Sequence, residues 1–287
     1  MNKQDPVISQ LTQWADSNAN IRALILTSSR AAGNRDLDFL SDYDVEIFAK
    51  DTAPFTEDDT WLLSFGEIMV RWPARPQVTA DGNWVTQLAL FKNRVRIDFQ
   101  ITSKGPDVSP NLSSGYEVLV DKDGLSSNIP APSFPYQTIQ QPSSSDFESR
   151  MVAFWWDIVY VAKGLFRREL NCTKAMLDDT IRFNKLLPLL NWYIGVTRGW
   201  NINTGLHGRW LDKYLDKDIW QLYQKTFADG DFENNWSALY STIELFRKVS
   251  FEVAEHLGFQ YPHETDCMVT AYIREIENAY RVQEKRY

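Results

Sequence analysis

The hydrophobic period of this 287-residue chain changes once, at a proline-rich stretch. Before that stretch the apolar residues sit in short runs or alternate with polar ones, as buried and half-buried strands require. Residues 23–26 form an apolar run. Tyr43, Val45 and Ile47 alternate with Asp42, Asp44 and Glu46, and Val95, Ile97, Phe99 and Ile101 alternate with Arg94, Arg96, Asp98 and Gln100. Further strands are expected at 68–71 and 85–91, with helices at 6–17 and 60–65, and residues 117–121 precede a turn at Lys122-Asp123-Gly124. After Asp146 the period lengthens. Met151, Phe154, Trp155, Ile158, Ala162, Leu165 and Phe166 recur at steps of three and four, the stripe of an amphipathic helix. Helices are then expected at 173–187, 189–195, 208–215, 218–227, 236–257 and 267–283, with Pro188 breaking or kinking the second of them. Residues 126–145 separate the two regimes. Pro130, Pro132, Pro135 and Pro142 exclude a long helix there, and Ile129, Phe134 and Tyr136 favour an ordered strap over a flexible linker. The pattern predicts an α+β chain: a mixed-sheet domain at 1–140 followed by a helical bundle at 141–287.

The strand at residues 43–48 carries the strongest chemical signal. Successive strand residues point to opposite faces, so Asp42 and Asp44 project from the same one. Two such charges at ~4 Å and an effective dielectric of ~20 repel by about 4 kcal/mol. A cation between them removes that repulsion, and an oxygen-only donor set suits Mg²⁺. Upstream, the apolar run ends in Thr27-Ser28-Ser29-Arg30, a loop follows through Gly33, Asn34 and Asp36, and then the acid pair arrives. Small hydroxyl residues at such a turn leave backbone N–H groups free to hold phosphate oxygens. A phosphate cradle placed shortly before a metal-binding acid pair is the layout of a nucleotidyltransferase, and Asp98 supplies a third acid on a polar strand face. In the helical half, Trp156, Tyr160, Lys163 and Arg167 share one helix face, setting aromatic rings and cations in line.

Composition narrows the partners. The 38 acidic and 30 basic side chains give a net charge of −8, which disfavours nucleic acid and suits a cationic ligand. Cys172 and Cys267 have no metal-ligand spacing to each other or to His207, His256 and His263, and a reduced, cytoplasmic chain is the simplest reading. The first twenty residues contain Asp5, Pro6 and Asp16 and lack the apolar core of a secretion signal. No apolar run approaches the ~20 residues that span a bilayer. Oligomeric state is left open by the sequence.

Together these segments resemble the aminoglycoside 6-adenylyltransferases, or streptomycin adenylyltransferases, of the nucleotidyltransferase superfamily. Ser28-Ser29-Arg30 and Ser41-Asp42-Tyr43-Asp44 match the family's phosphate turn and metal motif, and Asp98 its third acid. Trp155-Trp156 and Tyr160-Val161-Ala162-Lys163-Gly164-Leu165, with Arg167 and Glu169, resemble its most recognisable helix. Trp192-Tyr193-Ile194, Gly208, Lys213-Tyr214-Leu215 and Trp220 look like its downstream pattern. One departure stands out: the superfamily turn is usually Gly-Ser, and glycine reaches positive φ without strain, whereas this chain has Ser28.

The resemblance implies transfer of AMP from ATP to an aminoglycoside hydroxyl with release of pyrophosphate. Asp42 and Asp44 would hold Mg²⁺, joined by Asp98, which would alternatively accept the hydroxyl proton. Ser28, Ser29, Arg30, Tyr160, Lys163 and Arg167 would bind the nucleotide. Glu46, Trp155, Asp178, Asp179 and Trp192 are candidates for the cationic acceptor through motif proximity. A nucleotidyltransferase with another acceptor (a different antibiotic or a protein) and a non-catalytic nucleotide-binding protein are the competing readings.

Overall fold

The computed structural model describes residues 5–31, 37–109, 111–132 and 138–284, and the chain divides into two compact units, Met1–Tyr136 and Gln137–Tyr287. The first is built on a six-stranded sheet of β1 (Ile21–Thr27), β2 (Tyr43–Ala49), β3 (Ile68–Val78), β4 (Val85–Phe91), β5 (Arg96–Thr102) and β6 (Tyr116–Asp121). The spatial order is β3-β4-β5-β2-β1-β6. β2 and β5 run parallel, and the other neighbours are antiparallel. The alternation read in the sequence sorts the two faces. Tyr43, Val45, Ile47, Ile97, Phe99 and Ile101 pack on one side with Leu11 and Ala15 of α1 (Pro6–Ser17). That helix starts where Asp5 accepts the Val7 N–H at 2.9 Å, with Pro6 in its first turn. On the other side Ala23, Ile25 and Phe48 form a smaller cluster with Trp84, Leu112 and Ile129. Asp44, Glu46, Asp98 and Gln100 share that second face.

β3 runs past its expected end at Arg71, through Pro73 and Pro76, to Val78. It is an edge strand, where a missing N–H is tolerated, and its register to β4 shifts between Trp72 and Gln77. The buried amide of Gln87 serves this irregular stretch, donating from Nε2 to the Pro73 carbonyl at 3.1 Å. Of the strap, Leu125–Asn128 forms a 3₁₀ turn and Ile129 is buried against the sheet, whereas Phe134 and Tyr136 lie outside the described residues. Ile139 already belongs to the helical core, its N–H donating to the Ile202 carbonyl at 2.9 Å, so the second unit begins ahead of the expected 140/141 boundary.

The second unit contains α2 (Ser144–Phe166), α3 (Leu187–Arg198), α4 (Lys217–Gln224), α5 (Phe232–Leu257) and α6 (His263–Glu284). Ser143 and Asp146 form a capping box that fixes the start of α2. The α2 stripe is buried as its spacing requires, and Phe154 and Trp155 pack on Phe246 of α5. Gly164 is small for a packing reason: a Cβ there would lie 2.6 Å from Thr173 Oγ1 on the next helical segment. Of the break or kink expected at Pro188, the break does not occur. A π-helix, Ala175–Leu186, runs into α3, whose first turn contains Pro188. The wider turn accommodates the ring, and the Asn184 carbonyl, four residues before Pro188, accepts from Arg150 Nη1 at 2.8 Å instead. Among the described residues no helix is long and apolar enough to cross a membrane. Cys172 and Cys267 are both free and exposed.

Candidate active site

The parallel pairing of β2 with β5 sets Asp44 directly beside Asp98 and Glu46 beside Gln100. Asp42 lies one residue before β2 and reaches Arg96, whose Nη1 is 3.3 Å from Asp42 Oδ2. Arg96 also grips Asp98 with a fork, Nε to Oδ1 at 2.9 Å and Nη2 to Oδ2 at 2.8 Å. The three acids predicted from the sequence are therefore gathered on one sheet face, with a guanidinium against two of them. Their electrostatics are strained. Burial, then the Asp98 carboxylate and, further off, Asp42 push the Asp44 carboxyl up to about 6, against the hydroxyl of Ser28 and the charge of Arg96. Asp42 is raised too, by burial first, with Arg96 opposing.

The fit to a metal follows from this donor set. Among the described residues no three His, Cys, Asp or Glu side chains converge as a ready-made cage. Mg²⁺ does not need one: it is commonly held by one or two carboxylates plus substrate phosphates and water. The Asp44–Asp98 pair, with Asp42 nearby and excess negative charge on half-buried carboxylates, suits that mode.

The turn at Ser28, expected from the sequence to cradle phosphate, has an unexpected conformation. Ser28 opens the short helical turn Ser28–Ala31 with φ of 60°, the left-handed region in which glycine is at ease. The serine that stands where the resemblance expects glycine thus keeps glycine's backbone, and its hydroxyl bonds to the Asp44 carboxylate. Arg30 is engaged within the chain. Its Nε donates to the Asp42 carbonyl at 3.0 Å, its Nη2 to the Ser41 carbonyl at 2.7 Å, and its guanidinium lies 3.7 Å from the centre of the Tyr43 ring. It staples the segment leading into β2 and so orients Asp42. The loop residues Gly33, Asn34 and Asp36 lie outside the described residues.

Glu46 is 1% exposed, with Oε1 accepting from Ser109 Oγ at 2.8 Å and Asn111 Nδ2 at 2.9 Å. Burial raises its carboxyl above the ordinary range despite those bonds. Thr27, Ser28, Asp44, Glu46, Trp72, Thr86, Leu88, Asp98, Gln100 and Asn111 are among the residues lining a cavity of ≈ 250 Å³. Trp72, Thr86, Gln100 and Asn111 carried no functional signal in the sequence. Trp72 lay beyond the expected end of its strand, and the other three read as ordinary polar positions.

The remaining candidates sit in the helical unit. Trp156, Tyr160 and Arg167 are exposed along α2 and its C-cap, and Lys163 Nζ lies 5.2 Å from the centre of the Tyr160 ring. Trp155 is a core residue at 1% exposure, so packing claims the indole that the sequence offered to a ligand. Trp192 is buried as well and stacks under Arg150 at 4.6 Å. Asp178 pairs with Lys174 at 3.0 Å and with buried Arg182 at 2.7 Å, while Asp179 is exposed.

Comparison with known proteins adds the family. The family model for streptomycin adenylyltransferase matches residues 1–276, nearly the whole chain and both units. This protein belongs to the streptomycin adenylyltransferase family. Two relatives of that family, each named aminoglycoside 6-adenylyltransferase, come from Bacillus subtilis (strain 168) and Campylobacter jejuni. The first is 28% identical over 95% of this chain and 97% of its own; the second is 28% identical over 100% of this chain and 98% of its own. A Staphylococcus aureus protein of the same name is 26% identical over 98% of each chain. A crystal structure of an aminoglycoside 6-adenyltransferase from Bacillus subtilis aligns with 25% identity and a TM-score of 0.47, covering 96% of this chain and 99% of that one. Streptomycin adenylyltransferases are nucleotidyltransferases, and this protein is an enzyme of that class.

Proposed function

We propose that the protein transfers the adenylyl group of ATP to a hydroxyl of an aminoglycoside, with streptomycin modified at its 6-position, in a Mg²⁺-dependent reaction that releases pyrophosphate. The observation that carries this reading is the pairing of Asp44 with Asp98 across parallel strands, with Asp42 beside them. Family membership and the names of the relatives support the acceptor class. Asp42 and Asp44 would hold Mg²⁺, and the ion would neutralise phosphate charge at the reacting centre. Asp98, oriented by the Arg96 fork, would take the acceptor hydroxyl proton as the oxygen attacks the α-phosphorus. The bond from that phosphorus to the bridging oxygen breaks, and pyrophosphate departs. Ser28, Ser29, Tyr160, Lys163 and Arg167 are assigned to the nucleotide by their match to the family motifs. Arg30 supports the site by holding the strand that presents Asp42. Glu46 lies beside the acids and is the acceptor candidate with the most direct physical support.

Mass spectrometry of streptomycin after incubation with protein, ATP and Mg²⁺ tests reaction and acceptor together. The expected product carries one AMP and forms with stoichiometric pyrophosphate. Unmodified streptomycin beside a modified second aminoglycoside would move the acceptor and leave the chemistry. No product and no pyrophosphate with any aminoglycoside would end the reading.

A further inference from the structure

One row of side chains crosses the polar face of the sheet. Thr27 pairs with Asp44, Asp44 with Asp98, Asp98 with Leu88 and Leu88 with Trp72, taking the row across β1, β2, β5, β4 and β3. Neighbouring strands lie about 4.8 Å apart, so the Trp72 backbone stands about 10 Å from that of Asp98, the scale of one substituted sugar ring. Trp72 is 65% exposed, a large indole left in water on an edge strand. Its backbone is nevertheless held, because Gln87 Nε2 donates to the carbonyls of Trp72 at 3.5 Å and Pro73 at 3.1 Å. A fixed backbone bearing an uncovered ring is a platform prepared before any ligand arrives.

Glu46 supplies the second, independent observation. Its Oε1 has two donors, but its Oε2 is buried and has none. A buried carboxylate oxygen without a donor is unfavourable unless something brings one. Glu46 and Trp72 line the same ≈ 250 Å³ cavity as Asp44 and Asp98, along with the Thr86 and Gln100 side chains. On the far side of Trp72, Val70, Leu88 and Leu90 continue the apolar wall.

We propose that Trp72 and Glu46 form an acceptor subsite for a sugar-like ring bearing an amino or guanidino group, with the ring lying on the indole and its cation turned to Glu46. The subsite rests on the adenylyl-transfer reading and adds Trp72 as a determinant of acceptor specificity. An indole takes the apolar face of such a ring and attracts its positive charge. The unpartnered carboxylate oxygen takes a charge-assisted N–H. Both features select cationic rings over neutral ones; Trp72 lies on the strand row of Asp44 and Asp98, and Glu46 lies on the same face of β2, two residues on from Asp44.

Steady-state kinetics of the full chain with ATP, Mg²⁺ and streptomycin test this. Trp72→Ala, at an exposed position that should not disturb folding, is expected to raise the streptomycin KM about tenfold, as loss of a strong cation–π contact does. The ATP KM should stay within about twofold, and Trp72→Phe should recover part of the loss. Glu46→Gln, checked for native circular dichroism, should also raise the streptomycin KM. An unchanged acceptor KM in Trp72→Ala overturns the subsite, as does a rise in the ATP KM alone, which would make the indole a nucleotide platform. A wild type that modifies no aminoglycoside overturns the adenylyl-transfer reading and takes the subsite with it. An active wild type with an indifferent Trp72→Ala overturns the subsite only.

Discussion

Asp44 in the sheet unit and Asp266 in the helical unit are both drawn out of water, and their carboxyls shift in opposite directions. Burial alone would raise Asp266, but it accepts from Arg247 Nε and Nη2 at 2.6 Å each, from Tyr261 at 2.8 Å and from Thr270 at 3.0 Å, and these donors hold it below the usual range. Asp44 has one hydroxyl, two carboxylates and the charge of Arg96 for company, and burial with the two carboxylates outweighs the rest, so it rises to about 6. The first arrangement compensates a charge fully and ties α5 to α6. The second leaves a charge under-compensated, as sites that bind a cation or move a proton do. Asp178 is likewise ion-paired, with Lys174 at 3.0 Å and Arg182 at 2.7 Å.

The largest expected effect follows from removing the under-compensated charge. Asp44→Asn should reduce turnover by at least about 100-fold if, as proposed, Asp44 holds the Mg²⁺ at the reacting centre. Its stability should move the other way. A carboxyl with a folded-state pKa above its unfolded value disfavours folding once pH rises past the unfolded pKa, and the full penalty is present above the folded one. For a rise from 3.8 to about 6 that penalty is present at pH 7, and its removal should gain about 2 kcal/mol in urea unfolding. Loss of stability in Asp44→Asn would mean that the two aspartates are alike.

Asp266→Asn should do the converse, lowering stability by about 3 kcal/mol by leaving Arg247 half-partnered. Turnover per folded molecule should be little changed. The wild-type contribution of Asp266 is present above the unfolded carboxylate pKa and is lost as pH falls through its depressed folded value. Urea midpoints measured from pH 5 downward should therefore fall less steeply in the variant than in the wild type. Parallel curves would contradict the assignment.

The smallest effect concerns Ser28. Serine at φ of 60° is strained, so Ser28→Gly should gain up to about 1 kcal/mol, less the extra freedom glycine has when unfolded. The same change removes the hydroxyl from Asp44 and widens the contrast with Asp266. A large destabilisation would show that the hydroxyl matters more to the fold than the backbone strain.

The legible part of this molecule is the part governed by side-chain parity. Alternation around Asp44 and Asp98 placed both on one face, and the three- and four-residue steps in α2 placed its buried stripe. Register was not legible: that Asp44 faces Asp98 and not Arg96 depends on a parallel pairing across fifty residues of chain. Trp72 carried no signal because its strand was expected to end at Arg71, whereas β3, on the sheet edge where proline is tolerated, continues through Pro73 and Pro76 to Val78. Arg30 read as a phosphate cation because a sequence cannot show that Ser41 and Asp42 present their carbonyls to it. Trp155 was offered to a ligand through motif proximity alone, although its own place in the apolar stripe of α2 already marked it as core.

The central claim is that the sheet acids await a cation that brings phosphates with it. A thermal-unfolding series with Mg²⁺ and a non-hydrolysable ATP analogue, run on the wild type, Asp44→Asn and Asp266→Asn, tests it directly. Ligand at about 100 times its Kd stabilises a protein by about 2.7 kcal/mol. The account predicts a Mg²⁺-dependent upward shift for the wild type and for Asp266→Asn from its lower baseline, and little or none for Asp44→Asn. An equal Mg²⁺-dependent shift in Asp44→Asn, or no shift in the wild type, would contradict it.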